Sequence, residues 1–182
     1  MLVREEHSGD VAVVAEIHRR AFGDDGEVSA LVADLRRSLS NEPGLSLVAE
    51  AADGSVIGHA LFTRSLLDAP RRLVDVQVLS PLGVLPEWQR QGVGSALVRD
   101  GLTELGAHGV PLVFLEGSPD YYPRFGFVPG RAHAFRRPSL RIPDVAFQAC
   151  LLPAFESWMS GTLVYRHEFW DHDMVGLRDG TC

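Results

Sequence analysis

The sequence predicts an α+β fold built on a mixed, mostly antiparallel sheet. Three observations predict it. Two apolar runs meet around Asp53-Gly54; three segments carry apolar residues at helical spacing; and residues 78–102, VLSPLGVLPEWQRQGVGSALVRDGL, pass from a strand pattern through a glycine-bearing turn straight into a helical one. At 182 residues the chain is long enough to bury a sizeable core as one domain, placed at residues 1–172, with a polar tail at 173–182 expected to fray.

Residues 1–5 read as a short strand. Val11, Val14, Ala15, His18 and Phe22 then mark one face of a helix that Gly23 stops. Val28, Leu31, Val32, Leu35 and Leu39 mark a second helix, with Pro43 beyond it as a breaker. The run LSLVAEAADGSVIGHALFTRSLL is a hairpin pattern, because Asp-Gly accepts the positive backbone angles of a tight turn. Residues 72–84 alternate as a long strand until Ser80-Pro81, where the missing N–H predicts a bulge or a parting of neighbouring strands. Gly94, Leu97, Val98, Gly101, Leu102 and Leu105 define the next helix, which ends near Gly109. VPLVFLE is a buried strand, SPDYYPRF a short helical turn, and RAHAFRRPSLRIPD an arginine-rich loop. Two closing strands are expected near 144–151 and 160–169.

Composition excludes several chemistries. The formal charge of −7 argues against a nucleic-acid partner, which needs a basic face. All 17 basic residues are arginine, so Schiff-base chemistry and the phosphate-loop lysine are absent. Cys150 and Cys182 are far apart and in no metal-binding spacing, which fits a reducing cytoplasm. No apolar run approaches the roughly 20 residues that span a bilayer, so no membrane partner is expected. The glycines at 92 and 94 open a dinucleotide fingerprint, but its third glycine position holds Leu97. No G-x-S-x-G elbow occurs. His167 and His172 lie near Glu168, Asp171 and Asp173, yet their spacing differs from H-E-x-x-H, so no metal is predicted.

What remains is a strand, a tight glycine turn and a helix whose first free amides form an anion site. Gln89-Arg90-Gln91-Gly92-Val93-Gly94 resembles the Q/R-x-x-G-x-G/A signature of the GCN5-related N-acetyltransferases (GNAT), and YYPRFGFVPG is similar to that family's Tyr-x-x-x-Gly-Phe segment. The closing LLPAFESWMSGTLVYRHEFW resembles a bacterial, YhbS-like subgroup, so the likeness covers most of the chain. It implies the acyl-CoA N-acyltransferase fold, with helices on both faces of the sheet and strands splayed at the CoA cleft. It further implies that acetyl-CoA is a cosubstrate whose pyrophosphate meets amides of Arg90, Gln91, Gly92, Val93, Gly94 and Ser95. The pantetheine would run beside Leu82, Gly83 and Val84.

Acetyl transfer moves two protons: one leaves the amine and one reaches the departing thiolate. Tyr122, four residues before Gly126, stands where the resemblance places a tyrosine acid; the alternative is a packed aromatic. Glu116, closing the VPLVFLE strand, is the candidate base; the alternative is that it caps the next turn or meets an arginine. Asp75 and Glu27 are possible substrate contacts by position. Arg131, Arg136, Arg137 and Arg141 either meet the CoA 3′-phosphate or an acidic acceptor, or form a solvated face. The expected activity is acetyl transfer to an amine of a small molecule or peptide by a cytoplasmic monomer or homodimer. The alternative is a non-catalytic acyl-CoA sensor or partner-binding module, which would keep Gly92 and Gly94 without needing Tyr122.

Overall fold

A computed structural model of the chain describes residues 1–177. It packs as two compact units, Met1–Thr63 with Leu79–Leu105, and Arg64–Val78 with the described part of Gly106–Cys182. Two long strands, β3 (Val56–Asp68) and β4 (Leu73–Val84), run through both, so neither unit is one continuous segment.

The first unit holds β1 (Leu2–Glu5), α1 (Val11–Phe22), α2 (Glu27–Ser38), β2 (Gly44–Glu50) and most of α3 (Val93–Ala107). Its strand order is β1-β2-β3-β4. The Asp53-Gly54 hairpin forms as the sequence predicts: β2 and β3 pair antiparallel from Gly44↔Thr63 to Glu50↔Val56, and Gly54 has φ 86°. Asp53 accepts from both the N–H and the hydroxyl of Ser55, which fixes the turn. Gly23, at φ 65°, ends α1 and returns its N–H to Arg19.

Alternation along β3 decides which helix covers which face. A Cβ on Gly58 would lie 2.9 Å from Val93 and 3.2 Å from Leu97, and the ring of Phe62 lies against Gly101, so the even positions face α3. His59 points the other way, to His18 of α1 at 2.7 Å. Helices thus cover both faces of this unit, as the resemblance implies. Glycine at 58 and 101 lets α3 lie this close.

The His18–His59 contact belongs to a buried chain of polar groups. Arg36 donates twice to Glu6, at 2.6 and 3.1 Å, and keeps it ionised. An ionised carboxylate only accepts, so the Ser46 hydroxyl gives its proton to Glu6 and its oxygen accepts from His59 Nε2, 2.9 Å away. His59 Nδ1 must then accept from His18 Nε2 at 2.7 Å. His18 Nδ1 is left as a bare lone pair, buried and without a hydrogen-bond partner.

Both imidazoles are therefore neutral. Burial, reinforced by His59 and Arg36, brings His18 down to about 3, and burial lowers His59 against the pull of Glu6. Burial opposes ionisation of Glu6, but the neighbouring His59, Arg36 and Ser46 prevail and bring it down to about 2. Both shifts predict acid lability with the same sign. The unfolded chain takes up the His18 proton below about pH 6.5 and the folded chain does not, so stability is full above that pH and is lost toward pH 3. At pH 5 the expected loss from His18 is about 2 kcal/mol. Urea titrations at pH 7.5 and 5 check this: His18→Leu should flatten the difference, and an unchanged difference would place the acid lability elsewhere.

In the second unit β4 pairs in parallel with β5 (Leu112–Glu116) at Gln77↔Val113 and Val78↔Phe114. Past Val78, β4 continues to Val84 through a cis Ser80-Pro81 bond, so the strand is not interrupted at the proline. β8 (Phe147–Leu151) lies antiparallel between β5 and β6 (Phe127–Pro129), with Cys150 opposite Val113 on one side and Phe127 on the other. β9 (Gly161–Val164) runs antiparallel to Leu66, Leu67 and Asp68 of β3, and β7 (Phe135–Arg136) runs parallel to β9. The sheet is thus mixed and mostly antiparallel, as expected.

Two expectations are corrected here. The arginine-rich segment is not all loop: a 3₁₀ turn, Gly130–His133, precedes β7. The strand expected at 160–169 stops at Val164, and α4 (His167–Asp171) takes its second half. Tyr165 and Phe169 pack against each other with ring centroids 5.0 Å apart, four residues apart in sequence, and their burial favours the helical turn over a strand end. At the end of the described residues, Val175 is fully buried and Gly176 N–H donates to Glu116. The rest of the expected tail, 178–182, lies outside the described residues, as does Cys182.

Candidate active site

The glycine turn lies in the first unit. Beyond β4 the chain makes a 3₁₀ turn, Pro86–Trp88, and the side chains of two glutamines brace the segment between it and α3. Gln89 Nε2 donates to Val84 O at 3.1 Å and Gln91 Nε2 to Glu87 O at 2.8 Å. Glu87 is itself held by Arg20 of α1 at 2.9 Å. Arg90 and Gly92 take left-handed angles, φ 60° and 89°. A Cβ on Gly92 would meet nothing within 4 Å, so the backbone angle, not crowding, demands glycine there. The space beside Gly92 is open.

α3 starts at Val93, anchored by the buried side chains of Val93, Leu97 and Val98. Its first helical bond runs from Ala96 N–H to Gly92 O at 3.0 Å. That leaves the amides of Val93, Gly94 and Ser95 without a helical acceptor, at the positive end of a 15-residue helix. Such an end holds an anion without any lysine.

Leu82, Gly83 and Val84 close β4 in the same unit. Gly83 has a packing reason the sequence did not show: a Cβ there would stand 2.7 Å from His18 Nδ1. Leu82 and Val84 are half-buried.

Tyr122 and Glu116 belong to the second unit. The turn Tyr122–Phe125 is pinned at its start, where the amides of Tyr121 and Tyr122 both reach Ser118 O, and closed by Gly126 at φ 90°. The Tyr122 ring lies so close to Gly117 that a Cβ there would collide with it. Gln148 of β8 holds this turn in place by donating to the carbonyls of Gly117 and Ser118 at 3.1 and 3.3 Å. Phe127 and Tyr121 pack on the Tyr122 ring at 5.7 and 5.0 Å. Burial, helped by Tyr121, pushes the phenol up to about 12, so it remains a proton donor at neutral pH.

Glu116 ends β5 half-buried. Its Oε2 accepts the Gly176 N–H at 3.1 Å, and Tyr165 hydrogen-bonds to the same carboxyl. Burial raises its pKa against these two bonds and the Arg141 charge. Such a carboxyl has gained basicity, which suits proton abstraction, yet it also ties 173–177 to β5. Tyr165 and Gly176 had no motif to reveal them. For Tyr165 the only signal was the aromatic that closes the run GTLVY, and nothing marked Gly176.

The remaining candidates are peripheral. Glu27 is exposed in the first turn of α2, and Asp75 pairs with Arg64. His167 opens α4 and His172 caps its end, and Glu168 between them is taken by Arg166 at 2.8 Å. Among the described residues no three His, Cys, Asp or Glu side chains form a metal-binding group, and no helix is long and apolar enough to cross a membrane.

Residues 3–130, with the glycine turn among them, match the family described as the acetyltransferase (GNAT) domain. The chain belongs to the GNAT family. It is 41% identical over 120 residues to the uncharacterized N-acetyltransferase YjhQ of Escherichia coli; that alignment takes in 66% of this chain, and the chain spans 65% of that relative's length. It is similar over its whole length to the crystal structure of the GNAT family N-acetyltransferase YhbS from Escherichia coli in complex with CoA. There the TM-score is 0.82, the identity 29%, and 94% of that chain is covered. A GNAT family acetyltransferase from Brucella melitensis, solved in complex with acetyl-CoA, matches 92% of this chain and 97% of its own, with a TM-score of 0.73 and 28% identity. These neighbours have the fold expected of a GNAT chain, and both were solved with CoA or acetyl-CoA.

Proposed function

We propose that this GNAT chain is an acetyl-CoA-dependent N-acetyltransferase, a single catalytic domain over residues 1–172 that acetylates an amine of a small molecule or peptide. The observation that carries the reading is the turn at 90–95: two left-handed backbone angles, three free amides at the start of a long helix, and open space in front of Gly92. These features fit a pyrophosphate, with amides of Arg90 to Ser95 as its donors and glycine at 92 and 94 admitting it. Leu82, Gly83 and Val84 are the proposed strand end for the pantetheine, which would pair with it as an added strand.

In the proposed reaction the amine nitrogen attacks the thioester carbonyl carbon, the C–S bond breaks, and an amide and free CoA are formed. An amine that arrives protonated gives one proton to Glu116 before it attacks; its second nitrogen proton is lost to water as the adduct collapses, and the sulfur leaves as a thiolate that accepts a hydrogen bond from Tyr122 and then takes a proton from water. Purified protein supplied with acetyl-CoA and a panel of amines, amino acids, aminoglycosides and peptides should release free thiol in an amine-dependent way. Thiol release no faster than hydrolysis for every acceptor would overturn the reading.

Glu116→Gln tests the base. Proton abstraction matters only where the amine arrives protonated, so the variant should lose about 10²-fold in rate well below the amine's own pKa and little above it. A pH profile parallel to that of the parent would assign Glu116 to holding Tyr165 and Gly176 alone.

A further inference from the structure

The second unit contains an open cavity of about 310 Å³ whose lining differs in character from the rest of the chain. Its floor is aromatic. Phe135 and Phe147 line it, and both rings rest on Phe114, at 5.0 Å edge-on and 5.6 Å stacked. Its rim is cationic: Arg131, Arg136 and Arg137 stand against one carboxylate, Asp144, giving a local excess of two positive charges in a chain of formal charge −7.

The three guanidinium groups are not equally committed. Arg137 is paired with Asp144. Arg136 uses its Nε to donate to Thr162 Oγ1 at 3.0 Å, which aims the group while leaving its terminal nitrogens. Arg131 is exposed, and its guanidinium has no carboxylate partner among the described residues. A fork of guanidinium nitrogens above an apolar floor is suited to a carboxylate carried on an apolar body, because the fork matches both carboxylate oxygens. The volume is that of a small-molecule site.

Strand register relates this cavity to the candidate base. Phe147 lies directly opposite Glu116 in the β5–β8 pair, so their side chains share one face of the sheet about 5 Å apart at Cβ. Phe114, two residues before Glu116, shares that face as well. An apolar amino acid seated on the floor with its carboxylate at the rim therefore has its amine end on the same sheet face as Glu116.

We propose that this cavity is the acceptor subsite and that the acceptor is an amine bearing a carboxylate on an apolar body, such as an aromatic amino acid or the end of a peptide. Arg131 and Arg136 are the groups that select the carboxylate. The proposal rests on the acetyltransferase reading for the word acceptor, but its test does not need turnover.

N-acetyl-L-phenylalanine, the product analogue, and its uncharged amide are titrated calorimetrically into the full chain. The acid should bind at least about tenfold more tightly than the amide, as expected for a charge-assisted pair. The double variant Arg131→Gln, Arg136→Gln should lose that preference and keep its thermal transition. Equal binding of acid and amide, or binding of neither, overturns the proposal. So does a double variant whose deficit falls on CoA relative to 3′-dephospho-CoA, since the rim would then serve the cofactor phosphate. Retained selectivity for the acid with no acetyl transfer to any amine would sink the enzymatic reading and leave the subsite standing.

Discussion

Gly94→Trp is expected to abolish measurable acetyl-CoA binding while leaving the fold close to that of the parent. Gly94 sits in the first turn of α3, between Val93 and Ser95, whose amides have no helical acceptor. An indole there would occupy the room that an anion needs to reach those amides. Three charge-assisted hydrogen bonds at about 1.5–3 kcal/mol each are at stake, enough to weaken binding about a thousandfold or more. The helix should survive, because the buried side chains of Val93, Leu97 and Val98 anchor it, and Gly94 itself is only half-buried. Calorimetry and circular dichroism on the same sample check both halves. A folded variant that binds acetyl-CoA with the parent's affinity would mean that the glycines merely shape the loop.

The second large effect is expected at Tyr122. Tyr122→Phe keeps the ring that packs against Gly117, Tyr121 and Phe127, so stability and acetyl-CoA affinity should barely change. The lost hydroxyl should appear in kcat, because the sulfur gains charge only as the C–S bond breaks. General acid catalysis spans about 10²- to 10⁴-fold. A phenol pushed up to about 12 is a weaker acid than a thiol of pKa near 8.5, so complete proton transfer is uphill and the hydroxyl acts mainly as a hydrogen-bond donor to the leaving thiolate. The expected loss is therefore at the low end, about 10²-fold. Single-turnover rates separate this from product release, and a variant with the parent's chemical rate would make Tyr122 a packing residue.

Residues that obey a local rule were legible in the sequence. The Asp53-Gly54 hairpin, the stop at Gly23 and the start of α3 all arise from backbone angles that a few residue types favour, and each is where the pattern puts it. The β7 pair and α4 were not legible, because Phe135, Arg136 and His167–Asp171 owe their structure to what they pack on and not to their own periodicity. The site divides in the same way. Gly92 declares itself through a turn that only φ 89° can make, whereas Gly83 is explained by His18, 65 residues earlier in the chain. His18 itself looked like one more position on the apolar stripe of α1. Its partner His59 lies on a strand that alternation alone reads as ordinary core, so nothing short of the fold could join the two. Glu116 was visible as a strand-end carboxylate, but the Tyr165 and Gly176 bonds that hold it come from a segment whose polarity suggested only a loose tail.

Acetyl-CoA carrying ¹³C in its acetyl group, incubated with the protein and the best acceptor of the amine panel and monitored by NMR, tests the central claim most directly. The labelled carbonyl is expected to move from a thioester to an amide resonance at a rate proportional to protein, with free CoA accumulating in equal amount. Acetyl-CoA that binds tightly yet keeps its label on sulfur through many hours with every amine offered would contradict the claim, and would leave the chain as an acyl-CoA sensor.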